Sequence, residues 1–117
     1  MTAFRLISLP AHGAFELLIG FGLMVAPFLL GFGGGATVIA IVVGALVVGL
    51  ALGAAVGDTG AIDIAAHYAY DIGISLGLLG AALASAIAGD QPAALVFLGA
   101  AVAQTGLNVT TRYSARL

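Results

Sequence analysis

Four long apolar segments make up most of this chain, and short runs rich in glycine, aspartate and proline separate them. The pattern predicts helices over residues 9–32, 36–56, 64–88 and 92–111. At a rise of about 1.5 Å per residue, each predicted helix can cross a hydrocarbon core about 30 Å thick. We therefore expect an all-α fold: a four-helix transmembrane bundle that forms a single domain over residues 1–117.

Capping and helix-breaking residues support these boundaries. Ser8 and Asp63 stand just before apolar segments, where a short oxygen-bearing side chain can accept a bond from a free backbone N–H. Glycines at 33–35 predict a tight turn, and residues 89–92 predict a second one, whose proline opens the fourth helix. Residues 58–60 predict the break between two halves.

The first and third segments share a pattern of polar residues at an offset of 55 positions. The offset aligns the two histidines of the chain, His12 with His67, and aligns Glu16 with Asp71. Because such residues are rare here, we predict an internal duplication of a two-helix unit. The predicted units span about residues 8–57 and 63–112. An even number of helices per unit makes the duplication parallel, with its axis along the membrane normal.

Composition places the chain among membrane proteins. It is 62% hydrophobic and 7% charged, whereas a soluble domain has about 25% charged residues. The chain has only three basic residues, all arginines, against five acidic ones. This balance excludes the basic stripe of a nucleic-acid-binding protein. The chain has no cysteine, which excludes disulfides and thiolate metal sites. The expected partner is therefore the lipid bilayer.

The arginines also predict an orientation. Arg5, Arg112 and Arg116 all lie near the termini, and four crossings place both termini on one side. Since positive residues stay on the cytoplasmic side, we expect cytoplasmic N- and C-termini in the inner (cytoplasmic) membrane. No typical signal peptide precedes the first helix, and residues 2–9 form a mildly amphipathic lead. This lead is expected to lie in the interface, with Arg5 reaching the head groups.

Polar residues of three helices are predicted to meet at one level, close to the cytoplasmic ends of the helices. The histidines lie about 6 Å deep and their carboxylate neighbours about 12 Å deep, by the helical rise. The fourth helix descends the other way and brings its polar face to the same level. The predicted cluster contains His12, Glu16, His67, Asp71, Gln104, Asn108 and Arg112. Carboxylates at this depth face a bundle interior or a water-filled cavity.

Four interpretations of this cluster remain open. It can be a structural network that fixes helix register, or a proton or ion path, which in so small a bundle needs oligomers. It can be a metal or haem site, although His-x-x-x-acid is far less specific than His-Glu-x-x-His. The fourth interpretation is a small-ligand or lipid site between the two halves, lined by Tyr68 and Tyr70, which otherwise form an interfacial aromatic belt. We expect neither a bound metal nor another cofactor.

Small residues predict close helix packing. The predicted packing positions are Gly49, Gly53, Gly73, Gly77 and Ala81. The third helix combines such a stripe with a polar face, and neither face suits lipid, so we expect it to be central and packed on two sides. These faces make a homo-oligomer, or docking onto a larger membrane complex, plausible.

Residues 26–28, Ala-Pro-Phe, are followed by Leu-Gly-Phe at residues 30–32. This stretch resembles the SPW-repeat family of small prokaryotic membrane proteins, which repeats a two-helix unit with Ser-Pro-Trp near the end of its first helix. The corresponding residues 81–83 are Ala-Ala-Leu, without the motif. The resemblance covers mainly residues 12–53. It implies a two-unit, four-helix membrane protein and no activity.

The sequence thus predicts a non-enzymatic membrane scaffold or accessory subunit that assembles through small-residue helix faces. No Ser-His-Asp arrangement can be assembled, because Ser75 and Ser85 are expected to bond back to their own helices. The alternative is an oligomeric channel or transporter that uses Glu16 and Asp71, with His12 and His67 as a relay.

Overall fold

A computed structural model of the chain describes residues 5–55 and 63–113. Its four helices are α1 (Leu9–Leu30), α2 (Gly34–Ala55), α3 (Ile64–Ile87) and α4 (Gln91–Thr110). Within the described ranges, the only β-type pairing is an isolated bridge near the two termini. All four helices are long and apolar enough to cross a membrane. The predicted all-α fold, a four-helix membrane bundle, is confirmed.

The distribution of apolar side chains suits a lipid environment. Large side chains on every helix point outward, and Leu18, Phe28, Leu76 and Val102 are each more than 60% exposed. Since lipid tails are as apolar as leucine, an outer surface of this kind is stable in a bilayer. A small interior joins the helices, and its buried side chains include Leu23, Val47, Leu78, Phe97 and Ala101.

The helices pack as two hairpins. α1 lies along α2 and α3 lies along α4, while smaller contacts between α1 and α4 and between α2 and α3 close the bundle. The expectation that the third helix is central is wrong, because α3 has no more extensive packing than α1. The small-residue stripe of α3 is open instead: Ala69, Gly73 and Gly77 are exposed.

The helix ends follow the expected capping chemistry, with small shifts. Ser8 accepts a bond from the N–H of Ala11, and Asp63 caps α3 in the same way. α1 ends earlier than predicted, at Leu30, and is capped by Gly31, whose φ of 70° is the left-handed conformation that glycine adopts readily. The predicted glycine turn is consequently displaced, since α2 already begins at Gly34. The predicted break at 58–60 lies outside the described residues.

Asp90 joins the two loops at the end of the bundle far from the termini. It caps α4, which begins at Gln91, one residue before the predicted start. Its second carboxylate oxygen accepts a bond from the N–H of Gly33, in the other loop, at 2.8 Å. One side chain therefore ties the two hairpins together at this end.

A pair of glycines brings α1 and α2 into backbone contact. A Cβ placed on Gly20 would lie 2.9 Å from the backbone oxygen of Gly44, and one on Gly44 would lie 2.7 Å from that of Gly20. The predicted packing glycines behave differently. A Cβ on Gly49, Gly53, Gly73 or Gly77 would meet nothing within 4 Å, so no close approach among the described residues uses them.

The segment before α1 pairs with the segment after α4. The N–H of Ile7 donates to the oxygen of Thr110, and the N–H of Arg112 donates to the oxygen of Ile7. The Nη1 atom of Arg5 donates to the backbone oxygen of Thr111 at 2.8 Å. Arg5 was expected to reach the head groups, and instead it fastens the two ends of the chain over the nearby polar cluster.

Candidate functional site

The helical repeat places four ionisable side chains at one level of the bundle. His12 and Glu16 lie one turn apart on α1, and His67 and Asp71 lie one turn apart on α3. α1 and α3 start at the same end, so the histidines lie about 5 Å, and the carboxylates about 10 Å, along each helix. The side chains of His12, Glu16 and Asp71 are fully buried, and that of His67 is 4% exposed.

The four groups form a closed ring in which nitrogen and oxygen alternate. His12 Nε2 is 3.3 Å from Glu16 Oε1 and 2.9 Å from Asp71 Oδ2. His67 Nε2 is 3.2 Å from Glu16 Oε1 and 3.3 Å from Asp71 Oδ2. The ring therefore joins the two hairpins through both of their first helices, and the two imidazoles stand edge to face with centroids 5.6 Å apart.

The amides of α4 support this ring from a third helix. Gln104 donates to Glu16 Oε2 at 3.0 Å and to Asn108 Oδ1 at 2.9 Å. Asn108 donates to the backbone oxygen of Asp71 and to the hydroxyl of Ser75. Ser75 therefore takes part in the network, where the sequence predicted only a bond to its own helix.

Thr111 supports the ring from the end of α4. Its hydroxyl donates to the backbone oxygen of Leu107 at 2.6 Å. Its oxygen lies 2.7 Å from His12 Nδ1. A hydroxyl has one proton, so this oxygen accepts from His12, and Nδ1 carries the hydrogen. The sequence reasoning missed Thr111, although its spacing, three residues after Asn108 and seven after Gln104, is that of one helix face.

Tyr113 closes the cluster on the side of the chain end. Its hydroxyl donates to Asp71 Oδ2 at 2.6 Å, and its ring packs edge to face against His12 and Tyr68. Burial, and then the hydrogen bond to Asp71, raise the pKa of Tyr113 above its ordinary value. The phenol therefore stays a neutral donor. Sequence reasoning missed this residue as well.

Arg112, predicted to complete the cluster, lies outside it and is exposed. The prediction extended the four-residue spacing of Gln104 and Asn108 by one more turn. However, α4 ends at Thr110, and Thr111 is extended, with φ −90° and ψ 140°. The change of backbone conformation turns Tyr113 inward and Arg112 outward.

Among residues 5–55 and 63–113, three buried polar atoms of the site have no directed hydrogen bond. They are His12 Nε2, Asp71 Oδ1 and Gln104 Oε1. His12 Nε2 is close to two carboxylate oxygens, but the His12 imidazole is not oriented to donate to either. A buried polar atom without a partner is unfavourable by about 1–3 kcal/mol, so a purely structural network leaves these atoms unexplained.

The two imidazoles and two carboxylates of this site can bind protons or coordinate a cation. His12, Glu16, His67 and Asp71 each offer one ligand atom, and these atoms all lie within 4.8 Å of one another. Of the two tyrosines, Tyr68 packs on Tyr113, whereas Tyr70 lines an apolar groove between α2 and α3, one helix from each predicted half.

Comparison with protein families, with curated proteins and with solved structures finds no match to this chain. The resemblance of residues 12–53 to the SPW-repeat family, and the internal duplication, stay predictions. Functional inference for this chain therefore rests on the geometry of the bundle and of the cluster.

Proposed function

We propose that this protein is a non-enzymatic membrane scaffold or accessory subunit, which assembles with a second copy of itself through α2 and α3. A lipid-exposed groove between these helices supports the proposal. The groove has a volume of about 460 Å³, and the residues that line it include Val43, Leu46, Ala69, Gly73, Ile74 and Gly77. Its lining is apolar, so its occupant is itself apolar and lies within the bilayer.

The small residues of the groove favour a helix as the occupant. Ala69, Gly73 and Gly77 follow one another at four-residue spacing, and a Cβ on either glycine would meet nothing within 4 Å. Without side chains in the way, a second backbone can approach closely, which gives the van der Waals contact that drives helix association in lipid. Gly49 and Gly53 continue the same open face on α2, three and seven residues after Leu46.

The occupant that we propose is a second copy of this chain. A two-fold dimer uses the same patch on both partners, so that patch must complement itself. A flat row of small residues on α3 meets this condition, because it can lie against its own counterpart. The alternative occupant, a helix of a different membrane protein, predicts a monomer when the chain is purified alone.

Mass measurement in mild detergent tests the proposal. We expect a dimer for the natural chain and a monomer for Gly73→Ile or Gly77→Ile, because a branched side chain separates the backbones. Gly22→Ile on α1 is the matched control, since Gly22 is also exposed and has nothing within 4 Å of its Cβ position. A monomeric natural chain, or an unchanged dimer for Gly73→Ile, would contradict the proposal.

We place both termini on the cytoplasmic side of the inner membrane. The support is the positive-inside rule, because all three basic residues lie just before α1 or just after α4. Cysteine labelling from each side of sealed vesicles tests this orientation. A cysteine added after Leu117 should react, in intact cells, only with a reagent that crosses the membrane. Reaction with a reagent that cannot cross the membrane would contradict the orientation.

A proton or ion relay is the second candidate function, and the buried carboxylates favour it. Beyond the cluster, the described interior of one chain is filled by apolar side chains such as Leu23, Leu78 and Phe97. A relay therefore needs a path between subunits. It predicts flux in proteoliposomes that the double change Glu16→Gln and Asp71→Asn abolishes, and no flux for the natural chain would exclude it.

A further inference from the structure

The nitrogen–oxygen ring of His12, Glu16, His67 and Asp71 has the dimensions of a metal coordination shell. Its four sides measure 2.9, 3.2, 3.3 and 3.3 Å. Four ligands placed tetrahedrally at about 2.0–2.1 Å from Zn²⁺ lie about 3.3 Å apart. The four nitrogen–oxygen separations match this spacing within about 0.4 Å, and all the ligand atoms lie within 4.8 Å of one another. We infer that this cluster binds a divalent transition-metal ion such as Zn²⁺.

The tautomer of His12 supports the inference. Because Nδ1–H donates a hydrogen bond to the Thr111 hydroxyl, neutral His12 has its lone pair on Nε2, the atom that belongs to the ring. This atom is fully buried and has no directed hydrogen bond. An unprotonated Nε2 at 2.9 and 3.3 Å from two carboxylate oxygens is repelled by both, unless a proton or a metal cation lies between them.

The charge balance of the ring is satisfied by a divalent cation. Glu16 and Asp71 bring two negative charges into an apolar span, where a buried charge needs a partner. In residues 5–55 and 63–113, no arginine pairs with them: Arg5 binds a backbone oxygen, and Arg112 is exposed. One divalent cation with two neutral imidazoles gives an assembly without net charge.

Hydrogen bonds from neighbouring side chains orient three of the four ligands. Thr111 accepts from the far nitrogen of His12, Gln104 donates to the second oxygen of Glu16, and Tyr113 donates to Asp71 Oδ2, the oxygen that belongs to the ring. Metal-binding histidines and carboxylates usually have such partners, which fix the tautomer and the direction of the ligand.

The donor set selects the kind of metal and its role. Imidazole nitrogen suits zinc and its transition-metal neighbours, whereas Mg²⁺ and Ca²⁺ prefer oxygen ligands. Four protein ligands leave no open position, which is the arrangement of a structural site. The ion would therefore link α1 of one hairpin to α3 of the other. This inference departs from the expectation of no metal, and it does not depend on the proposed dimer.

Titration of chelator-treated protein in detergent tests the inference. We expect one Zn²⁺ per chain, competition by Co²⁺ with the strong visible absorption of tetrahedral Co²⁺, and no competition by Mg²⁺. Absence of stoichiometric Zn²⁺ binding, or Co²⁺ bound only with the weak spectrum of an octahedral ion, would overturn it. Neither result depends on whether the protein is a dimer.

Substitutions locate the bound ion. Asp71→Asn should abolish stoichiometric Zn²⁺ binding, whereas Asp63→Asn on the same helix should bind like the natural chain, because Asp63 is an exposed cap and asparagine also caps. Thr111→Val should keep one site and lower its affinity about 10–100-fold. Circular dichroism verifies that each variant is helical. Equal Zn²⁺ affinity in Asp71→Asn and the natural chain would place the ion elsewhere and refute the inference, and so would an unchanged affinity in Thr111→Val.

Discussion

The imidazole of His12 and the hydroxyl of Thr111 are 99 positions apart in the chain and 2.7 Å apart in the fold. This contact sets the tautomer of His12 and connects the start of α1 to the end of α4. It lies beside the backbone pairing of Ile7 with Thr111. The two ends of the chain therefore close the polar cluster together.

Loss of the Thr111 hydroxyl should destabilise the bundle even without metal. Thr111→Val leaves the N–H of His12 buried without a partner, so we expect the free energy of unfolding to fall by about 1–3 kcal/mol. The measurement is reversible unfolding in mixed micelles with chelator present.

Thr110→Val is the matched control for this change. The hydroxyl of Thr110 donates to backbone oxygens of its own helix, at Gly106 and Leu107, and contacts nothing in the cluster. Its loss should change stability by less than about 0.5 kcal/mol. Equal losses for the two threonines would show that the contact with His12 contributes nothing.

Gly20→Ala should destabilise the bundle, although alanine favours helices. The new Cβ would lie 2.7 Å from a Val48 methyl and 2.9 Å from the backbone oxygen of Gly44, so α1 and α2 must separate. We expect a loss of about 1–3 kcal/mol, as in overpacked cores. Gly22→Ala, two residues along the same helix, has open space and should be neutral or stabilising by up to about 1 kcal/mol. A Gly20→Ala variant as stable as Gly22→Ala would contradict the close approach.

Asp90→Ala should be more destabilising than Asp63→Ala. Both residues cap a helix, a contribution of about 0.5–2 kcal/mol. Asp90 also accepts the N–H of Gly33 from the other loop, which adds about 1 kcal/mol. Unfolding of the two variants under identical conditions checks the order, and the reverse order would show that the link between the loops is not significant.

Tyr113→Phe should lower the free energy of unfolding by about 1.5–3 kcal/mol, because it removes the hydrogen bond to the Asp71 carboxylate. Tyr70→Phe removes a hydroxyl from an exposed ring and should change it little. If both variants unfold like the natural chain, Tyr113 does not support the cluster.

Hydrophobic pattern and capping residues were sufficient to predict the four helices, because caps such as Ser8, Asp63 and Asp90 stand where apolar segments begin. The convergence of His12, His67 and their carboxylates was also predictable. It follows from the helical rise once the topology makes α1 and α3 start at the same end of the bundle.

Tertiary detail was not predictable in the same way. Tyr113 enters the cluster only because the backbone becomes extended at Thr111, and no sequence period reports such a change. Likewise, glycine spacing shows where a close approach is possible but not what approaches. Gly20 and Gly44 meet each other within the chain, whereas Gly73 and Gly77 face outward.

The most direct test of the metal-linked cluster is X-ray absorption at the zinc edge of the Zn²⁺-loaded protein in detergent. The account predicts a single shell of four nitrogen or oxygen atoms at about 2.0–2.1 Å, with the outer scattering of two imidazoles. A shell of five or six light atoms with fewer than two imidazoles, as an ion on the solvent-exposed surface would give, would contradict it.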